Sequence, residues 1–185
     1  MAVATKKQSM NSGRRKSALA HQIADLAFFN GMHENHLSKL AEYATRVEFN
    51  PGEKIFQSGD SANRFYVVET GTVQVETPAA GPTPIPIQSV GSGDVLGWSW
   101  LYPPFEWNLN AWATEPCEAI FFFATALRTE LDSDPIFGNA MYQRIAQVMM
   151  GRLHHMRTQL VTSSPQHAKL NTNLPRNCVK FYDKK

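Results

Sequence analysis

Cysteine is scarce in this chain. Cys117 and Cys178 are the only two in 185 residues, too few for a disulfide framework, so a reducing, cytoplasmic setting is expected. No apolar run approaches the ~18–20 residues of a membrane span. The start, Met1-Ala2-Val3-Ala4-Thr5-Lys6-Lys7, lacks the apolar stretch of a secretory signal. Charged residues make up 18% and hydrophobic residues 43%, a balance that permits a packed core and excludes disorder of the whole chain.

Charge is missing by region as well. Residues 1–20 hold Lys6, Lys7, Arg14, Arg15 and Lys16 and no acid, and residues 165–185 hold five basic residues against Asp183 alone. Residues 21–164 carry 8 basic and 15 acidic residues. A body of that sign repels a phosphate backbone, so nucleic acid would have to be held by the tails. The segments 1–18 and 163–185 read as basic tails flanking a domain at 19–162. Arg14-Arg15-Lys16-Ser17 has the form that basophilic kinases accept, a short match that reads first as a solvated tail.

Within 19–162 the hydrophobic period changes twice. Ile23, Leu26, Ala27 and Phe29 suggest a short helix, and Leu37, Leu40, Ala41 and Ala44 a second. Residues 45–123 are dense in Val, Ile, Phe and Thr and cut repeatedly by Gly and Pro. Thr45–Phe49, Lys54–Gln57, Phe65–Glu69, Thr72–Thr77, Ile85–Val90, Leu109–Thr114 and Glu118–Phe123 read as strands, with Pro78–Pro86 as an exposed hairpin extension. Many short strands at near-regular spacing predict an antiparallel sandwich or roll.

Helical spacing returns over 124–162. Ser133-Asp134-Pro135 is a start signal, an oxygen cap followed by proline at the first helical position. Along the helix that follows, Tyr142, Ala146, Met149, Leu153, Met156 and Leu160 are spaced 4, 3, 4, 3, 4, a heptad seam that predicts a homodimer. Ile136, Ile145 and Val148 form an adjoining stripe suited to packing on the strands.

The run Pro51-Gly52-Glu53-Lys54-Ile55-Phe56, Gly59-Asp60, Phe65-Tyr66-Val67-Val68, Gly71-Thr72-Val73-Gln74-Val75, Gly93-Asp94 and Gly97 resembles the cyclic-nucleotide-binding domain. That domain is the sensor module of the catabolite activator family and of kinase regulatory subunits. The resemblance spreads over residues 26–160. It implies a mainly β fold: an eight-stranded antiparallel, jelly-roll-like β-roll with N-terminal helices and a long C-terminal dimerisation helix. It also implies a ligand cassette made of a strand, a one-turn helix and a returning strand. In members that bind cyclic AMP or cyclic GMP, a Glu after the cassette glycine accepts from the ribose hydroxyl. An Arg about ten residues later neutralises the cyclic phosphate.

Here the cassette runs from Leu96 through Gly97, Trp98, Ser99, Trp100 and Leu101 to Trp107 and Asn108. Gly97 is kept, the Glu position holds Trp98, and the Arg position falls on Trp107 or Asn108. No Lys or Arg occurs between Arg64 and Arg128. A buried phosphate without a cation carries a desolvation cost of several kcal/mol, which Ser99 and backbone N–H groups offset only in part. By the resemblance, Met156 and Arg157 occupy the place where the catabolite activator's helix contacts the base, so Arg157 is a candidate outside cation. Cyclic-nucleotide binding of the usual kind is therefore disfavoured, and no other cofactor is implied.

Aromatic rings stand where those charges are missing. Trp98, Trp100, Trp107 and Trp112 lie within fifteen residues, with Tyr102 and Phe105 among them. Either they line a pocket remodelled for a small-molecule ligand or a partner's side chains, or they fill the vacated pocket. Alternation assigns Trp98 and Trp100 to the short helix beside the pocket and Trp112 to the core.

Other constellations carry less. His33 and His36 sit at i and i+3 with no third ligand nearby, which reads as a solvated helix face. His154 and His155 are adjacent, about 100° apart on a helix, and cannot chelate together. Cys117 and Cys178 lack a positioned base, Cys117 reading as an inert core thiol. No enzyme site is expected. About two dozen residues follow Val161 and include Pro165 and Pro175, so no helix-turn-helix reader and no sequence-specific DNA binding are expected. The function that follows is a non-catalytic sensor or regulator, with a structural interaction module as the alternative and an Arg157-dependent nucleotide binder behind both.

Overall fold

The computed structural model describes residues 18–78 and 84–163, without the side chains of 161–163. Arg14–Ser17, Cys178, most of both basic tails and the middle of the Pro78–Pro86 segment lie outside the described residues. The chain divides into two compact units after Met141.

The first unit opens with α1 (18–25), a 3-10 turn at Ala27–Phe29 and α2 (Glu34–Glu42). Eight strands follow: β1 (Ala44–Phe49), β2 (Lys54–Phe56), β3 (Arg64–Thr70), β4 (Val73–Glu76), β5 (Pro86–Val90), β6 (Val95–Leu96), β7 (Asn110–Ala113) and β8 (Cys117–Phe123). They form two four-stranded sheets, β1-β8-β3-β6 and β2-β7-β4-β5, and every pairing is antiparallel. The expected β-roll is present. Strand β6 went unpredicted, because two residues between Asp94 and Gly97 are too few to show alternation.

Strand composition follows from which faces are covered. In β3 the consecutive residues Phe65, Tyr66, Val67 and Val68 are all buried, and β8 repeats the pattern from Ala119 to Phe122. Successive side chains point to opposite faces, so this central pair is covered on both. On one face Phe65 stacks on Phe122 at 4.6 Å and on Trp100 at 5.0 Å, and Phe29 packs on Phe122 at 5.5 Å. On the other, Tyr66 meets Phe49, Phe56 and Phe121. The second sheet has one dry face only: β7 alternates half-buried Asn110 and Trp112 with buried Ala111 and Ala113.

That alternation corrects the placement of Trp112. Its ring lies on the outer face, where the indole N–H donates to Glu76 Oε1 at 2.7 Å and Lys54 sits 4.7 Å above the ring. The small alanines take the inner positions.

Beyond β8 come α3 (Ala124–Ser133) and α4 (Pro135–Ser163). Helix α4 starts where Ser133-Asp134-Pro135 places it, with the Phe137 N–H donating to Asp134 Oδ1 at 3.1 Å. Its first buried large side chains are Phe137 and Met141, whereas Ile136 is 76% exposed. The stripe expected to include Ile136 is thus one residue out of phase at its start. The described part of the second unit is the remainder of α4, along which Tyr142, Leu153, Met156 and Leu160 are exposed. No helix among the described residues is long and apolar enough to cross a membrane.

Candidate ligand cassette

Strand β6 ends at Leu96, which is buried, and the chain turns at Gly97 with φ +82°. Only glycine reaches that region freely, and a second constraint acts there. A Cβ at Gly97 would lie 2.5 Å from both Cη2 and Cζ3 of Trp107. The six-membered edge of the Trp107 indole thus rests on the Gly97 backbone. The ring lies parallel to Phe56, centroids 4.0 Å apart and planes 10° off. Trp107 is 5% exposed. Its backbone is fixed to the β2–β3 connection, the N–H donating to Asp60 O at 2.9 Å and the carbonyl accepting from Gly59 N at 2.8 Å.

Trp98 caps a 3-10 turn at Ser99–Leu101 and is half-buried. Trp100 is fully buried against Phe65, on the helix-covered face of the first sheet. Its indole Nε1 is buried and finds no hydrogen-bond partner among the described residues. Ser99 is buried, Leu101 half-buried and Asn108 exposed. The aromatic cassette therefore splits: Trp107 turns into the roll beside Gly97, and Trp100 turns to the opposite side of the sheet. Met156 and Arg157 are exposed residues of the second unit.

After the 3-10 turn, Phe105 takes φ +58°, uncommon for a residue with a side chain. Hydrogen bonds hold it there: its N–H donates to Tyr102 O at 2.9 Å and its carbonyl accepts from Ala62 N at 2.7 Å. A residue outside the cassette joins it. Arg128 of α3 donates from Nη1 to Trp100 O at 2.7 Å, and its guanidinium carbon lies 4.2 Å from the Phe105 ring centroid. Sequence spacing gave no sign of this contact, since 28 residues separate the hydrogen-bonded partners.

At the end of the roll beside β3, Arg64 lies 4.9 Å from the Phe121 ring centroid. Burial raises the Tyr66 hydroxyl above its ordinary value, with Arg64 pulling the other way. Cys117 is buried, and burial followed by Glu115 and Glu118 raises its thiol, which makes it a poor nucleophile.

His36, expected on a solvated face, is half-buried: it stacks on Phe137 at 4.7 Å and its Nε2 is 3.6 Å from Asp134 Oδ2. His33 Nδ1 accepts from Asn35 N at the start of α2. Among the described residues no group of three or more His, Cys, Asp or Glu is placed to hold a metal ion. A groove of about 670 Å³ between α1 and α2, lined by Ala24, Asp25, Glu34, Leu37 and Glu42 among others, had no sequence signal.

The family model of the cyclic nucleotide-binding domain matches residues 46–134. A cGMP-dependent protein kinase of Caenorhabditis elegans is 27% identical over 84 residues, covering 45% of this chain and 11% of the kinase. The acetyltransferase Pat of Mycolicibacterium smegmatis is 32% identical over 78 residues, covering 42% of this chain and 23% of the enzyme. The chain thus spans less than a quarter of the length of either relative. The solved structure of a cyclic nucleotide-binding domain from Methylobacillus flagellatus superposes with a TM-score of 0.68 at 17% identity, over 78% of this chain and 84% of that one. This last likeness is one of fold.

Proposed function

We propose, for a chain whose residues 46–134 match the model of the cyclic nucleotide-binding domain, a non-catalytic regulatory role in which the cassette is occupied by its own Trp107. One observation carries this reading. The indole fills the space against Gly97 and stacks on Phe56, at one of the two positions where nucleotide-binding members of the family carry the phosphate-neutralising arginine. A cyclic phosphate entering there would have to displace a buried ring, at a cost of about 1.5–3 kcal/mol for re-exposing it. It would then meet no basic residue of the cassette itself. In this role the domain works through protein contacts, and the exposed Tyr142, Leu153, Met156 and Leu160 of α4 offer a seam to a second copy. Two cysteines in the whole chain are consistent with a cytoplasmic setting.

A second reading is a small-molecule sensor in which a non-nucleotide ligand displaces Trp107 from its place against Gly97, beside the half-buried Trp98. A third reading keeps Arg157, exposed on α4, as the cation of an unusual nucleotide site.

Titration of intrinsic tryptophan fluorescence with cyclic AMP and cyclic GMP, then with a metabolite panel, separates the three. Silence throughout is the expected result. A saturable response to a panel compound, lost in Trp98→Ala, would establish the sensor. A saturable cyclic-nucleotide response lost in Arg157→Ala would overturn the proposal in favour of the third reading.

A further inference from the structure

The geometry points to Arg128 as the positioning residue that couples the cassette to α3 and to the start of α4. The inference rests on the regulatory reading above, because a regulatory cassette must move something. Arg128 grips both ends of the divergent segment. Its Nη1–H bond to Trp100 O caps the last turn of the 3-10 helix, and its guanidinium covers Phe105, the residue held at positive φ where the chain turns back toward Trp107. A cassette without a cation of its own has one lent by the neighbouring helix.

The opposite side of α3 carries the second half of the link. Arg128 and Glu130 are two residues apart, about 200° around a helix. Glu130 accepts from Tyr43 OH at 3.1 Å, and Lys39 Nζ lies 3.4 Å from Glu130 and 3.3 Å from Asp134. Asp134 caps α4 through the Phe137 N–H. Arg128 therefore holds the segment Trp98–Phe105 on one side of α3, while Glu130, Lys39 and Asp134 form a polar network on the other side that ends at the cap of α4, and the body of α3 joins the two. A displacement of the cassette that releases Trp100 O frees α3 on that side, and the α3–α4 junction is the element it biases.

A purely architectural arginine would stabilise the whole unit. A coupling arginine makes α3 respond to the state of the cassette, and amide hydrogen exchange on the full chain tells these apart. In Arg128→Ala, exchange within 98–106 and within 124–133 should quicken by about tenfold, the β3–β8 ladder staying as it was. Arg128→Lys, which keeps the charge but has only a point donor, should recover part of the protection.

The decisive comparison perturbs the cassette by Trp107→Ala, or by the milder Trp107→Phe should the first fail to fold. That change should quicken exchange in α3 when Arg128 is present and leave it unaltered in the Arg128→Ala background. Equal responses of α3 in both backgrounds, or uniform acceleration that includes β3 and β8 in Arg128→Ala alone, would overturn the proposal. The perturbation is a mutation and not a ligand, so the result stands whether or not a cyclic nucleotide proves to bind.

Discussion

The contact between Trp107 and Gly97 can be measured as a coupling energy. Trp107→Ala removes roughly 140 Å³ of buried side chain, and at ~24 cal/mol per Å³ of residual cavity the void alone costs about 3 kcal/mol. Loss of the offset stack on Phe56 at 4.0 Å adds about 0.5–1.5 kcal/mol. The single substitution should therefore destabilise by about 3–5 kcal/mol.

Gly97→Ala acts at the same place by a different route. It forces a side chain into φ +82° and puts a Cβ 2.5 Å from two carbons of the ring. The backbone part, about 1–2 kcal/mol, belongs to residue 97 alone. The overlap, about 1–3 kcal/mol, exists only while the indole is there. In the Trp107→Ala background the cost of Gly97→Ala should fall to its backbone part, leaving an interaction energy of about 1–3 kcal/mol. Urea unfolding followed by far-UV circular dichroism on the four proteins gives the cycle. An identical Gly97→Ala penalty in both backgrounds would refute the occupied cassette, because it would mean that the ring does not rest on Gly97.

The cap of α4 should be pH-sensitive. The Phe137 N–H, then Lys39 and His36, hold the Asp134 carboxyl below its ordinary value against a desolvation that acts the other way. A depressed carboxyl stabilises the fold above its unfolded value, about 3.9, and that contribution is lost as pH falls through the lower folded value. Asp134→Asn should thus lower the melting temperature at pH 7, with the difference from the parent shrinking below about pH 4; a gap that widens in acid would contradict the assignment. Trp112, on the outer face with Glu76 and Lys54, should be quenched by acrylamide and tolerate Ala far better than Trp107 does, and a larger loss at Trp112 would reverse the two placements. Sedimentation equilibrium should find a dimer that Leu153→Lys or Leu160→Lys dissociates without lowering β-sheet content. A chain that stays monomeric at high micromolar concentration would remove the seam.

Local signals reached the fold because each is written in a few adjacent residues. Continuous runs such as Phe65–Val68 and Ala119–Phe122 mark strands buried on both faces, Ser133-Asp134-Pro135 fixes the start of α4, and glycines at turn positions carry the family resemblance. Seven of the eight strands show in period and punctuation, and it is the resemblance, not spacing, that sets Trp98 and Trp107 or Asn108 where a Glu and an Arg are expected.

What each aromatic does was not visible. Trp98, Trp100, Trp107 and Trp112 are alike in composition, yet one is half-buried at the head of a turn, one is buried behind the sheet, one stacks on Phe56 inside the roll and one lies outside under Lys54. These assignments depend on strand register and on the turns at Gly97 and Phe105, where a shift of one residue exchanges inside for outside. Arg128 makes the same point across a greater separation, since its bond to Trp100 O exists only once α3 has folded back onto the cassette. The sequence by itself determined the β-roll and, between Arg64 and Arg128, a stretch without Lys or Arg. Only the tertiary structure decided that the space against Gly97 is filled, because which rings meet is set by packing between segments that the chain keeps far apart.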